Sequence, residues 1–105
     1  MRKIIHYISQ HSNRKLTVAE IAQFAGFDRS YLSSKFRDEM GIPLSAFITQ
    51  IKLEEAASLL HFSNQTIAEI SEYLGFSNQS HFQASFKKYF GVTPRLYRLK
   101  ETEEM

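Results

Sequence analysis

At 105 residues, 43% of them apolar and 23% charged, the chain is long enough for one domain or for two small subdomains sharing a core. It has no Cys, which excludes a disulfide framework and a thiolate metal site, and no apolar run approaches the ~18–20 residues of a membrane span. Net charge is only +2, but Glu101, Glu103 and Glu104 offset an uneven distribution: residues 1–100 carry 13 basic against 8 acidic side chains.

Four Gly and two Pro are few, no strand-like alternation is sustained, and Ala, Leu, Ile, Glu and Lys are plentiful, so an all-α fold is expected. The start, MRKIIHYISQH, lacks the long apolar stretch and small-residue cleavage site of a signal peptide, and a cytoplasmic location is expected. Basic residues gather at Arg2, Lys3, Arg14 and Lys15 and again at Lys87, Lys88, Arg95, Arg98 and Lys100. Such clusters fit a nucleic-acid partner and equally a solvated surface.

In chain order, a first helix is predicted over 2–11, with Ile4, Ile5 and Ile8 on one face and Tyr7 beside them. Asn13-Arg14-Lys15 breaks it. Thr17-x-x-Glu20 reads as a capping box for a second helix, with Val18, Ile21, Phe24 and Ala25 as its apolar face and Gly26 as its end. Phe27 follows, and Asp28 is a good N-cap for a helix running to about Met40, whose inward stripe is Leu32, Phe36 and Met40. Gly41 ends that helix and Pro43 starts the next. Pro43–Phe62 has no internal Gly or Pro, so one continuous helix of ~19 residues and ~28 Å is predicted. Its apolar positions are Leu44, Phe47, Ile48, Ile51, Ala56, Leu59 and Leu60. Ser63-Asn64-Gln65 is a loop. Thr66-x-x-Glu69 is another capping box, with Ile67, Ile70, Tyr73 and Leu74 on one face before Gly75. A helix follows in which Phe82, Phe86, Tyr89 and Phe90 share a side, and Gly91 ends it. Thr93 and Pro94 open a short final helix to about Leu99, and the remaining ETEEM is expected to fray.

Two of these segments are copies of one another. TVAEIAQFAGF (17–27) and TIAEISEYLGF (66–76) align at a shift of 49, and beyond the turn the shift is 50, pairing Ser30 with Ser80, Leu32 with Phe82, Phe36 with Phe86 and Gly41 with Gly91. The chain is therefore an internal repeat of two helix-turn-helix units. The units are expected at 1–42 and 63–100, joined by a linker helix at 43–62, with a frayed tail at 101–105.

These residues resemble the DNA-binding domain of the AraC/XylS family of bacterial transcription regulators over nearly the whole chain, from about Ile4 to Arg98. The most specific part runs from Gly75-Phe76 through Gly91-Val92-Thr93-Pro94 to Tyr97-Arg98. It is similar to the family's Gly-Phe turn, Phe-x-x-x-Phe-Lys-Lys helix and Gly-x-x-Pro-x-x-Tyr-Arg end. Ala56-x-x-Leu59-Leu60 resembles the family's linker helix. The resemblance implies seven helices and a monomer that places both recognition helices in neighbouring major-groove segments.

The side chains expected to face DNA follow from the helix period. With Leu32 and Phe36 inward, Ser30, Ser33, Ser34 and Arg37 lie roughly opposite. With Phe82 and Phe86 inward, the outward stripe is Ser80, Gln83, Ala84 and Lys87, flanked by Gln79 and His81 at the leading end. The base-facing set is thus Arg29, Ser30, Ser33, Ser34, Gln79, Ser80, His81, Gln83 and Ala84. Gln can bond adenine bidentately, while Ser is more permissive. Arg37, Lys87 and Lys88 sit later in their helices, where phosphate contact is expected. The first copy departs from the family at Ser34, where an Arg or a large side chain is usual. Its three short serines suit backbone positioning and contact with thymine methyls better than strong readout. His81 is open to a base, a phosphate or solvent.

His6, His11, His61 and His81 do not have metal-site spacing, and no cofactor is expected. Phe24, Phe27, Phe36, Phe47, Phe76, Phe82, Phe86 and Phe90 are read as core. Nothing resembles a catalytic set, so an enzyme is not expected. The expected activity is sequence-specific double-stranded DNA binding by two helix-turn-helix motifs about one turn, ~34 Å, apart. Because the linker is stiff, DNA bending at a cost of order 1–6 kcal/mol is expected. The alternative is an all-helical protein–protein interaction module with little DNA readout. RNA polymerase is a further expected partner if the chain activates transcription, and no membrane is. An effector or receiver domain would need ~100 additional residues. The chain is read either as a stand-alone regulator or as the C-terminal part of a larger one that carries such a domain.

Overall fold

The computed structural model describes the backbone of residues 1–104 and the side chains of residues 1–100. Among the described residues seven helices follow one another: α1 (Arg2–Gln10), α2 (Val18–Ala25), α3 (Arg29–Met40), α4 (Leu44–Phe62), α5 (Ile67–Tyr73), α6 (Gln79–Phe90) and α7 (Pro94–Glu104). No strand occurs among the described residues. The chain forms an elongated body of 46 × 23 × 23 Å.

Local chemistry accounts for the boundaries. Thr17 Oγ1 accepts from the Glu20 N–H at 3.1 Å, Asp28 from Ser30 N–H at 3.3 Å and Asn78 from His81 N–H at 2.7 Å. At Thr66 the capping box is complete: its hydroxyl accepts from Glu69 N–H at 3.0 Å, and the Glu69 carboxylate accepts from Thr66 N–H at 2.8 Å. At Thr17 only half of the predicted box forms. The Glu20 carboxylate is engaged instead by the Arg14 guanidinium and by the Tyr7 hydroxyl, which donates to it at 2.7 Å. A charged fork competes better for a carboxylate than one backbone N–H does. These two donors hold the Glu20 carboxyl down at about 2, with Arg14 the larger cause.

Two buried clusters form the core. The first joins Ile4, Ile8, Ile21, Ala22, Leu32 and Phe36 to Leu44 and Ile48 from the start of α4. The second joins Ile70, Leu74, Phe82 and Phe86 to Leu53, Ala56, Ala57 and Leu60 from the rest of α4. The long helix therefore completes both cores, one with each half. Its C-terminus is held by Arg98, whose guanidinium donates to the carbonyls of Leu59, Leu60, Ser63 and Gln65 at 2.6–3.4 Å. A basic side chain there satisfies carbonyls that lack helical partners.

Several expected core positions lie at the surface. Phe24 is 50% exposed and Phe27 36%, although Phe24 stacks on Tyr7 with ring centroids 4.1 Å apart. Met40 and Tyr73, the last residues of α3 and α5, are exposed too. Pro43 occupies the cap position of α4, one residue before the helix proper. The last helix continues to Glu104, beyond the expected end near Leu99. The fraying expected of 101–105 lies outside the residues whose side chains are described.

One buried charge was not expected. Leu44, Ile48, Lys52, Ala56 and Leu60 follow each other at four-residue intervals along α4, and all five are buried. The Lys52 ammonium donates to the carbonyls of Ser12, at 2.9 Å, and of Arg14 and Leu74. Burial, with the Arg14 guanidinium nearby, pushes its pKa down to about 8. The three carbonyl oxygens favour the charged form and match the three donors of an ammonium.

Candidate nucleic-acid interface

Each unit presents the second helix of its helix-turn-helix to solvent along one side. In α3, Leu32 and Phe36 are fully buried, which turns Ser30, Ser33, Ser34 and Arg37 outward. Together with Asp28 and Arg29 they line one shallow concavity bordered by Val18 of α2. The structure thus brings the five expected residues of the first copy, Arg29, Ser30, Ser33, Ser34 and Arg37, onto a single face.

In α6, Phe82 and Phe86 are fully buried, and Gln79, Ser80, His81, Ala84, Lys87 and Lys88 are exposed, with Gln83 half-buried. At about 100° per residue, Ala84 lies opposite the buried pair, Ser80 and Lys87 lie to one side of it with Gln83 further round, and Lys88 and His81 lie to the other. The His81 ring meets Phe76 with centroids 5.7 Å apart and lines a crevice shared with Lys15, Leu16, Val18, Thr49 and Ser77. Lys88 borders a hollow against α4 with Thr49, Gln50 and Tyr89. His81 and Lys88 therefore edge the outward stripe on the α4 side.

The two faces differ chemically at equivalent positions. Arg29 corresponds to Gln79, Ser33 to Gln83, Ser34 to Ala84, Arg37 to Lys87 and Asp38 to Lys88. The later turns of α3 carry Asp38 and a Lys35–Glu39 ion pair at 3.0 Å, whereas the last turn of α6 carries Lys87 and Lys88 without an acid. A polyanion approaching the end of α6 meets less repulsion than one approaching the end of α3.

Two cations that a charge census assigns to the surface do structural work. Lys52 and Arg98 satisfy main-chain carbonyls. The signal for Lys52 was its place in an otherwise apolar four-residue series; Arg98 was marked as the end of the Gly-x-x-Pro-x-x-Tyr-Arg segment, but not as a partner of carbonyls. Among the described residues no group of His, Asp or Glu could hold a metal ion, and no helix is long and apolar enough to cross a membrane.

A family model described as "Helix-turn-helix domain" matches residues 21–100. The chain is 36% identical over 100 residues to the F1 operon positive regulatory protein of Yersinia pestis, covering 94% of this chain and 33% of that protein. It is also 36% identical over 101 residues to the xylose operon regulatory protein of Escherichia coli K12, covering 96% of this chain and 26% of that one. The chain thus spans a third or less of each of these two relatives. Among solved structures, the C-terminal domain of AraT, a response regulator from Geobacillus stearothermophilus, superposes with a TM-score of 0.89 at 36% identity, covering 94% of this chain and 83% of that one. The DNA-binding domain of AdpA, solved with a target DNA, superposes with a TM-score of 0.93 at 19% identity, covering 98% and 93% of the two chains, a likeness of fold. The matched model, the relatives and the twice-repeated helix-turn-helix agree: the chain belongs to the AraC/XylS-type family of helix-turn-helix domains.

Proposed function

We propose that the chain binds double-stranded DNA with sequence preference and regulates bacterial transcription, with α3 and α6 entering neighbouring major-groove segments. The observation that carries this reading is that both helices bury a Leu/Phe or Phe/Phe pair and turn a polar side to solvent. Gene-regulatory relatives and the DNA complex of AdpA support it. Gln79, Ser80, Gln83 and Ala84 meet base edges or thymine methyls from α6, and Arg29, Ser30, Ser33 and Ser34 do so from α3. Arg37, Lys87 and Lys88 contact phosphate, and His81 takes a phosphate or base at the edge of the α6 stripe. The chain works in the cytoplasm without catalysing a reaction. The greater length of its relatives supports a further effector or receiver domain, and RNA polymerase is the partner where the protein activates.

Selecting bound sites from a random duplex pool tests the reading. A preferred site about two turns long is expected, with affinity that falls steeply as salt rises. Salt-insensitive binding, or no preference over random duplex, sinks it. The exposed aromatics Phe24, Phe27 and Tyr31 favour a second reading, a protein-interaction module. If replacing Gln83 and Lys87 leaves DNA affinity untouched while a protein partner is lost, that second reading stands.

A further inference from the structure

The two cores meet at the middle of α4, where Ile48 belongs to the first and Leu53 to the second. A single helix crossing that gap fixes a distance, and the contacts beside it set how the units face one another. Lys52 stands in the gap. Its ammonium joins the carbonyls of Ser12 and Arg14, in the segment that leads into α2, to the carbonyl of Leu74, the C-cap of α5. The Leu74 carbonyl lies at the negative end of a helix, where a cation is favoured.

A second contact closes the same junction. A Cβ added to Gly75 would lie 2.5 Å from the Lys15 nitrogen and 2.6 Å from the Arg14 carbonyl carbon, and its φ is 78°. Only glycine allows these two backbones to approach so closely. The equivalent Gly26 of the first unit has nothing within 4 Å of such a Cβ, so the contact belongs to the junction and not to the repeated motif. One side of the clamp is the root of α2, and the other is the turn that launches α6. A shift at either side moves a recognition helix.

We infer that Lys52, together with the close approach at Gly75, is the positioning element that fixes the separation and angle of α3 and α6 and so selects the half-site spacing that the chain accepts. The inference about geometry stands on the contacts alone; its consequence for DNA rests on the two-helix reading above. Lys52 touches no DNA in this scheme. Its three donors act through backbone carbonyls, and a planar Arg fork does not reproduce their directions.

Two measurements test it, each on Lys52→Met and Gly75→Ala. In the first, spin labels at Ser34 and Ala84 report the distance between the two helices without DNA. The unsubstituted protein gives one narrow distribution, and both variants give a broadened or displaced one. Leu60→Ala, which weakens the second core away from the junction, keeps the narrow distribution. In the second, the selected duplex is compared with one carrying an extra base pair between half-sites, a change of about 3.4 Å and about 35°. The unsubstituted protein loses about tenfold or more on the insertion, and each variant less than about threefold, because looser coupling tolerates more geometries. Should Lys52→Met fail to fold, Gly75→Ala decides alone. Variants that keep both the narrow distribution and the full spacing penalty overturn the inference. If the unsubstituted protein prefers no duplex, the DNA reading falls, and the distance measurement still judges the clamp.

Discussion

The two units repeat one motif, yet their turns sit in opposite surroundings. Gly26-Phe27 of the first lies open, with Phe27 36% exposed. Gly75-Phe76 of the second is pressed against the backbone of Arg14 and Lys15, and Phe76 packs on Phe82 with centroids 5.1 Å apart. The shift of 49 that aligns the turns also aligns Lys3 with Lys52. Lys3 is exposed and borders a groove with Phe24, Ala25 and Phe27, whereas Lys52 is buried beneath the loop that covers the second turn. The motif thus decides where chain segments turn. What lies next to the turn decides whether its aromatic is core or surface.

The sharpest way to break this comparison is to truncate both aromatics. Phe76→Ala is expected to lower unfolding free energy by about 2–4 kcal/mol. Phe27→Ala is expected to cost under about 1 kcal/mol, as at an ordinary surface site. Urea titrations measure both, and equal losses would erase the distinction. The next effect concerns readout. Gln83→Ala should cost about 1–3 kcal/mol of discrimination between preferred and mismatched duplex, and Ser33→Ala less than half of that. Fluorescence anisotropy on the selected site and its single mismatches gives the values.

A smaller effect distinguishes the cations. Lys87→Ala should weaken binding similarly on all sequences and reduce the slope of log affinity against log salt by about one. A slope unchanged within error would remove Lys87 from the phosphate set. The smallest effect is acid sensitivity. The Glu20 carboxyl lies at about 2 in the folded chain against an ordinary value of 4.5, so its contribution is fully present above 4.5. It is lost as pH falls from about 4.5 through about 2, because the unfolded chain takes up the proton first. Melting temperatures of Glu20→Gln should therefore differ from those of the unsubstituted protein at pH 6 and converge with them near pH 2. Glu69, lowered chiefly by the backbone N–H of Thr66, should show the same trend on Glu69→Gln.

Helix number, order and starts were legible because short-range chemistry determines them. Thr17, Asp28 and Thr66 cap within two or three residues of themselves, and Gly26, Gly41 and Gly91 cap the ends of α2, α3 and α6 in the left-handed region. The inward pairs Leu32/Phe36 and Phe82/Phe86 were legible from period alone, and with them the outward sides of α3 and α6. What period cannot show is whether a face has a neighbour. Phe24 has helical spacing appropriate to a core and is half exposed, although Tyr7 stacks on it. Competition was equally hidden: Glu20 left its capping box for Arg14, six residues upstream, and for Tyr7. Lys52 and Arg98 answer to carbonyls 22 to 40 residues away, a distance at which local pattern carries no information.

The double duty of α4 has a consequence for how this repeat can be taken apart. Leu44 and Ile48 finish one core while Leu53, Ala56 and Leu60 finish the other. Melting either unit strips half of the shared helix of its cover, which penalises the remaining half as well. The chain should therefore unfold in one transition, with heat and denaturant reporting the same midpoint by every probe. For the same reason neither unit is portable: cut at the loop on either side of α4, one fragment keeps the helix and the other loses a wall of its interior. A duplicated motif has become a single indivisible body.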